Sequence, residues 1–167
     1  MTESSQDPNI ELLTCSQVEQ VKGFVGNYEV TIRKKARYVD PAKCNGCGVC
    51  VQKCPKKVDS EFDMQLGKRK AIYTPFAQAV PNVPVIDADN CTYFQKGKCK
   101  VCQKFCGVNA IDFEQEDELI TEKFGAIVVA TGFEQFDWTK AYGEYGGGHI
   151  PNIITGLHME RMLETTG

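Results

Sequence analysis

The run Cys44-Asn45-Gly46-Cys47-Gly48-Val49-Cys50-Val51-Gln52-Lys53-Cys54-Pro55 decides how this chain is read. Its spacing is C-x2-C-x2-C-x3-C-P, the bacterial pattern in which thiolates hold 4Fe-4S clusters. Such close spacing lets one tight loop present three sulfurs to an iron cube. Gly46 and Gly48 allow the backbone to turn sharply and its amides to approach cluster sulfur. Cys54 starts the next helical turn and points away from that cube, and in a two-cluster arrangement a fourth cysteine of this kind ligates the other cluster.

A second group, Cys91, Cys99, Cys102 and Cys106, has the spacing C-x7-C-x2-C-x3-C, with a longer first gap and Gly107 where the first group has Pro55. Each group has three cysteines to hold its own cube and a fourth to lend. The ligand sets expected are therefore Cys44, Cys47, Cys50 and Cys106 on one cluster, and Cys91, Cys99, Cys102 and Cys54 on the other. The competing reading is zinc, because Cys44-x2-Cys47 with Cys99-x2-Cys102 could make one tetrahedral site of four thiolates. Zinc leaves four cysteines and Pro55 without a purpose. Cys15 lies alone and reads as a small buried hydrophobe, with no role assigned.

Composition agrees with metal. Nine cysteines in 167 residues fall below the roughly 8 to 10% of disulfide scaffolds. The start, Met1-Thr2-Glu3-Ser4-Ser5, has no basic region followed by an apolar stretch, and no run approaches the roughly 20 apolar residues of a membrane span. The chain is expected to be soluble, cytoplasmic and in a reducing compartment, where clustered thiols suggest metal rather than bridges. A net charge of -3 and a pI near 5.5 argue against a nucleic-acid partner. Between Arg33 and Lys70, however, eleven Lys/Arg stand against four acids. That excess would ease reduction of anionic clusters, or form a docking patch or a solvated basic face, with nucleic-acid binding as a third reading of this stretch alone. His149 and His158 are isolated, in no arrangement resembling a catalytic triad, and are assigned surface or packing places.

Working outward, residues 1–40 alternate as strands do: Tyr28, Val30 and Ile32 point one way, and Glu29, Thr31 and Arg33 the other. Gly26-Asn27 is the expected turn between this run and Val18 to Val25, giving an antiparallel meander. Ile10 to Thr14 is read as a further strand, although Asp7-Pro8-Asn9 could instead cap a short helix. Residues 41–113 show little periodicity, and their core is expected to be metal more than aliphatic. Within them Ala71-Ile72-Tyr73 and Val83 to Ile86 could pair as a hairpin, with Pro84 confining the second strand to an edge. Residues 114–167 open with an acidic stretch. They continue through Ala126-Ile127-Val128-Val129-Ala130, a short apolar β-branched run of the kind buried on both faces of a sheet, which gives an expected strand over 126–132. A short helix is expected around Leu157 to Leu163.

The cysteine segment resembles two-cluster bacterial-type ferredoxins, including Asn109-Ala110-Ile111-Asp112 after the last ligand. Ala130-Thr131-Gly132 after an apolar strand is similar to the A-T-G motif of glutathione-reductase-type FAD domains, whose meander the first segment would supply. The order of meander, Arg37-Tyr38-Val39-Asp40, cysteine groups, Arg69-Lys70-Ala71-Ile72-Tyr73, Gln78-Ala79-Val80-Pro81 and Val128 to Gly132 resembles the flavin iron-sulfur subunit of heterodisulfide reductase over nearly the whole chain. The resemblance implies an α+β fold: a two-cluster ferredoxin-like domain (41–113) inserted between β-rich pieces (1–40 and 114–167) of a split glutathione/thioredoxin-reductase-type FAD domain. It also makes Thr131 and Gly132 flavin-proximal, although on their own they could simply end a strand. No G-x-G-x-x-G occurs, so the phosphate-cradling turn for FAD is missing. The chain looks like an internal piece of a longer subunit, binding FAD weakly or not at all by itself.

The function expected is electron transfer through two 4Fe-4S clusters between a flavin and partner redox subunits, with no side chain acting as acid, base or nucleophile. A free-standing ferredoxin-like carrier is the alternative, and a zinc-stabilised interaction module stands behind both.

Overall fold

A computed structural model describes residues 2–141 and 143–164. Contacts divide the chain into two compact units, Met1–Val58 with Lys68–Ile127 and Asp59–Gly67 with Val128–Gly167.

The first unit opens with a short helix, α1 (Thr2–Gln6), and then a hairpin of β1 (Ser16–Phe24) and β2 (Asn27–Lys34). Phe24 faces Asn27 across the pair, so the two-residue loop is Val25-Gly26. The turn sits one residue earlier than Gly26-Asn27, because only Gly26 takes the left-handed φ and Asn27 already belongs to β2. Val30 and Ile32 are buried while Glu29 is exposed, as the alternation requires. Ile10 to Thr14 forms no strand. Asp7 turns the chain back on itself, its carboxylate accepting from the Asn9 amide at 2.8 Å, and the segment continues without a ladder partner.

After the cysteine-rich segment the chain returns to this sheet. In chain order that segment contains α2 (Val49–Lys53), β3 (Lys57–Asp59) paired with β4 (Lys68–Lys70), and β5 (Ile72–Tyr73) paired with β6 (Val85–Ile86). The one-turn helices α3 (Thr92–Lys96) and α4 (Val101–Lys104) follow. β7 (Glu118–Phe124) then lies antiparallel to β2, giving the sheet order β1-β2-β7. Its place is set by the acidic stretch: Asp117 accepts from the Ala36 amide at 2.9 Å and lies 3.5 Å from Arg33, Lys34 and Glu118 are 3.8 Å apart, and Gln115 accepts from the Tyr38 amide at 2.6 Å. Thr31 and Thr121 share a hydroxyl contact at 3.3 Å on the same register. Strands from both sides of the cysteine segment thus build one sheet.

The returning strand is Glu118–Phe124, not 126–132. The latter stretch has no strand structure, with Val128 90% and Val129 78% exposed. An apolar β-branched run becomes a buried strand only when ladder partners flank it and layers cover it, and none of the described strands pairs with this one.

The core of the cysteine segment is more aliphatic than its composition suggests. Val39, Ala71, Ile72, Val83, Ile86, Ala110, Ile111 and Phe113 are buried together with Cys50, Cys91 and Cys102. Each fully buried Val or Ile contributes roughly 1.5–3 kcal/mol. The ends of the segment are tied by an antiparallel bridge between Val39 and Ile111, with the Asp40 amide donating to Ala110 O at 2.7 Å and the Asp112 amide to Tyr38 O at 3.1 Å. The expected hairpin forms, Ile72 facing Ile86 and Tyr73 facing Val85, with Pro84 just outside the ladder where no amide is needed. Tyr93 packs on Phe113 at 4.2 Å and Phe94 on Tyr38 at 4.6 Å, closing the end of this core.

The second unit contains α5 (Trp138–Ala141), a 3-10 turn at Gly143–Tyr145 and α6 (Gly156–Leu163), the last within one residue of its expected span. Thr155 caps α6, its hydroxyl accepting from the His158 amide at 3.2 Å and meeting His158 Nδ1 at 2.6 Å. Arg161 reaches Asp63 at 2.9 Å and lies 4.3 Å over the Phe62 ring. His158 therefore has a capping place, and His149 is exposed.

Candidate metal centre

The eight clustered cysteines separate into two groups of four around two cavities. One cavity is lined by Cys44, Cys47, Cys50 and Cys106, with Val39 and Ile111 among its apolar walls. The other is lined by Cys54, Cys91, Cys99 and Cys102, with Ile72 and Ile86 among its walls. Each gathers three cysteines from one sequence group and one from the other.

Local structure explains the exchange. The loop from Cys44 to Gly48 begins where the Cys44 amide bonds Asp40 O at 3.0 Å. Gly46 and Gly48 take φ of +70° and +71°, and a Cβ on Gly46 would stand 3.0 Å from Asn82 O, so the tight turn requires glycine there. The turn delivers Cys44 and Cys47, and Cys50 follows from the first turn of α2, buried against the first cavity. Cys54 is not the start of a further helical turn. It is the C-terminal cap of α2 in extended conformation, which carries it off the Cys50 face. Its thiol donates to Lys56 O at 3.7 Å.

The long gap between Cys91 and Cys99 is filled by α3. Cys91 caps its N-terminus, and Gly97, left-handed, ends it with an amide bond to Tyr93 O at 2.6 Å. The seven intervening residues coil back, so that Cys91 and Cys99 line the same cavity. Cys102 is buried in α4, and Cys106 lies just beyond its end. Two main-chain amides already aim at sulfur, Ala110 N to Cys106 Sγ at 3.2 Å and Gly46 N to Cys44 Sγ at 3.5 Å.

Electrostatics agree with a cationic occupant. Burial pushes the Cys50 thiol up, reinforced by Cys44, Cys106 and Cys47 beside it. Burial likewise pushes Cys102 up to about 12, with Cys91, Cys54 and Cys50 adding to it. Clustered thiols in apolar walls resist becoming thiolates until a cation joins them, which is the chemistry of a thiolate-bound metal site. Four thiols line each of the two cavities, a donor set that fits thiolate-bound iron-sulfur clusters and of which a single zinc site of four thiolates would use only half.

The other residues singled out by sequence behave differently. Thr131 and Gly132 lie exposed in an irregular stretch. Cys15 is half-buried rather than part of the core, its sulfur accepting from Arg37 at 3.2 Å. Arg37 also bonds Thr14 Oγ1 at 2.9 Å and Val83 O at 2.8 Å, an anchoring role its position before the bridge strand did not announce. Part of the basic excess is spent on ion pairs with acids outside the stretch, Arg33 with Asp117 at 3.5 Å, Lys34 with Glu118 at 3.8 Å and Arg69 with Asp87 at 2.8 Å. No helix among the described residues is long and apolar enough to cross a membrane.

Comparison with known proteins converges on the same segment. Residues 37–58 match the family model of a 4Fe-4S binding domain. Over 167 residues the chain is 49% identical to a CoB-CoM heterodisulfide reductase iron-sulfur subunit of Methanocaldococcus jannaschii, covering all of the chain and 24% of that relative. It is 48% identical to an iron-sulfur subunit of the same enzyme from Methanopyrus kandleri, again over all of the chain and 24% of the relative. It is 40% identical over 168 residues to the corresponding subunit of the ferredoxin:CoB-CoM heterodisulfide reductase of Methanosarcina mazei, covering all of the chain and 20% of the relative. The chain thus spans a quarter or less of the length of these relatives.

Proposed function

Because the chain belongs to this family of heterodisulfide reductase iron-sulfur subunits, matching them along its whole length, we propose that it is the electron-relay part of a flavin iron-sulfur oxidoreductase of that type. Two 4Fe-4S clusters carry single electrons between a flavin held by the longer subunit and the redox centre of a partner subunit. When bound, the clusters supply one-electron chemistry, and the protein holds and tunes them.

The observation that carries this reading is the division of eight thiols into two complete sets of four, with Cys54 and Cys106 exchanged between the sequence groups. Cys44, Cys47, Cys50 and Cys106 would hold one cluster, and Cys91, Cys99, Cys102 and Cys54 the other. Gly46 N and Ala110 N would donate to ligand sulfur, favouring the reduced state. The apolar walls built by Val39, Ile72, Ile86 and Ile111 would keep water from the clusters. The sheet built from both flanks of the cysteine segment supports an insert within a larger domain, which a free-standing carrier does not need. The flavin-domain identity of that sheet and the flavin-proximal place of Thr131 and Gly132 are part of the same proposal, as are the cytoplasmic location and the partner subunits.

Anaerobic reconstitution followed by iron and sulfide analysis tests it. About eight iron and eight sulfide per chain are expected for two cubes. About four of each would leave one cluster, and zinc without sulfide would refute the electron-transfer reading.

A further inference from the structure

Cys54, which lines one cavity with Cys91, Cys99 and Cys102, has a cation tied to its main chain. Lys70, half-buried at the end of β4, donates from Nζ to the carbonyl oxygen of Cys54 at 2.7 Å. Its neighbour Arg69 is closed in an ion pair with Asp87, the two side chains only 11% and 13% exposed, so that pair carries no net charge. Lys70 has no carboxylate in ion-pair range among the described residues, and a carbonyl holds an ammonium without neutralising it. Lys56 lines the same cavity, but its ammonium is tied to nothing among the described residues. Beside the other cysteine group the balance differs: Lys43, just before Cys44, is paired with Asp40, and Lys53 stands exposed over the Phe105 ring at 5.4 Å.

Resting on the proposal that each cavity holds a 4Fe-4S cluster, we infer that Lys70 selectively raises the reduction potential of the cluster at Cys54, Cys91, Cys99 and Cys102. Reduction adds one electron and makes or breaks no bond, taking a four-thiolate cluster from dianion to trianion. A fixed positive charge stabilises the trianion more than the dianion, and half-burial limits the screening that would erase the effect at the surface. Lys70 is thus a tuning residue rather than a ligand, and it draws an electron entering the pair toward this cluster.

The test is a spectroscopic redox titration of the full-length subunit under anaerobic conditions, each cluster's signal being assigned from Cys47→Ser and Cys99→Ser variants. Lys70→Gln should lower the reduced-to-oxidised ratio of the second cluster about tenfold at a fixed ambient potential, about 59 mV for a one-electron couple. The first cluster should stay unmoved, and Lys70→Arg should restore the wild-type value. Unmoved potentials, or equal shifts in both clusters, overturn the inference. If Lys70→Gln does not retain both clusters, Lys70→Met, which keeps the apolar stem and removes the charge, takes its place, with the same lowering expected of the second cluster, and no shift there overturns the inference too. A wild-type protein without inorganic sulfide defeats the cluster reading itself, whereas full iron content with unmoved potentials defeats the role of Lys70 alone.

Discussion

Cys54 and Cys102 share the wall of one cavity, although Cys54 caps the helix whose Cys50 faces the other. Cys50→Ser should therefore damage the first cluster and Cys54→Ser the second, each removing up to about four iron and the paramagnetic signal of a single cluster. Loss of the first cluster's signal in Cys54→Ser would show that the ligands are not crossed.

Ile72 is 2% exposed and packs in the same core as Cys91 and Cys102. Ile72→Ala should cost about 2–5 kcal/mol through lost burial and the cavity left behind. Val128, 90% exposed, should tolerate alanine within about 0.5 kcal/mol. Denaturant unfolding of the two variants, compared at equal cluster content, checks the contrast, and a Val128→Ala cost matching that of Ile72→Ala would show that 126–132 is covered.

Arg37 ties Thr14, Cys15 and Val83 together through a single guanidinium. Arg37→Met should destabilise by about 1–3 kcal/mol, since partly buried acceptors lose a charged donor. Lysine should not restore the loss, because a compact ammonium cannot reproduce the planar fork. The measurement is the denaturation midpoint of wild type, Arg37→Met and Arg37→Lys.

Burial alone would raise the carboxyl of Asp87, but hydrogen bonds from Arg69 and Asn90 outweigh it and hold the group below its ordinary value. A depressed folded-state value means that the pair stabilises the fold fully above the unfolded carboxyl value of about 3.9 and loses that contribution as pH falls through the lower folded value. The acid limb of a stability profile should therefore steepen below about pH 4 in wild type and flatten in Asp87→Asn. Equal acid limbs in the two proteins would refute the coupling.

Part of this fold is legible from local sequence. Alternation at Tyr28 to Arg33 marks β2, Ala71 to Tyr73 and Val83 to Ile86 mark the short hairpin, and Leu157 to Leu163 marks α6. These elements follow from neighbours a few residues apart, through period-two alternation or a cap. The third strand escaped because its run, Glu118 to Phe124, is charged and exposed, so its place depends on ion pairs and threonine contacts with β2 rather than on apolar pattern. Ala126 to Ala130 misled for the converse reason: it has the composition of a buried strand, but composition supplies neither ladder partners nor a covering layer.

The cysteine spacing by itself determined that one loop and one helical turn present three sulfurs on one side, because the geometry of a tight turn is local and glycines at 46 and 48 permit it. The exchange of Cys54 and Cys106 between the two groups is likewise an expectation of the spacing, whereas the coiling of α3 across the long gap, which brings Cys91 and Cys99 to one cavity, and the tie from Lys70 to the Cys54 carbonyl were decided only by the tertiary structure. Those relationships join segments brought together by burial of Val39, Ile72, Ile86 and Ile111, and burial is a property of the packed chain rather than of any stretch within it.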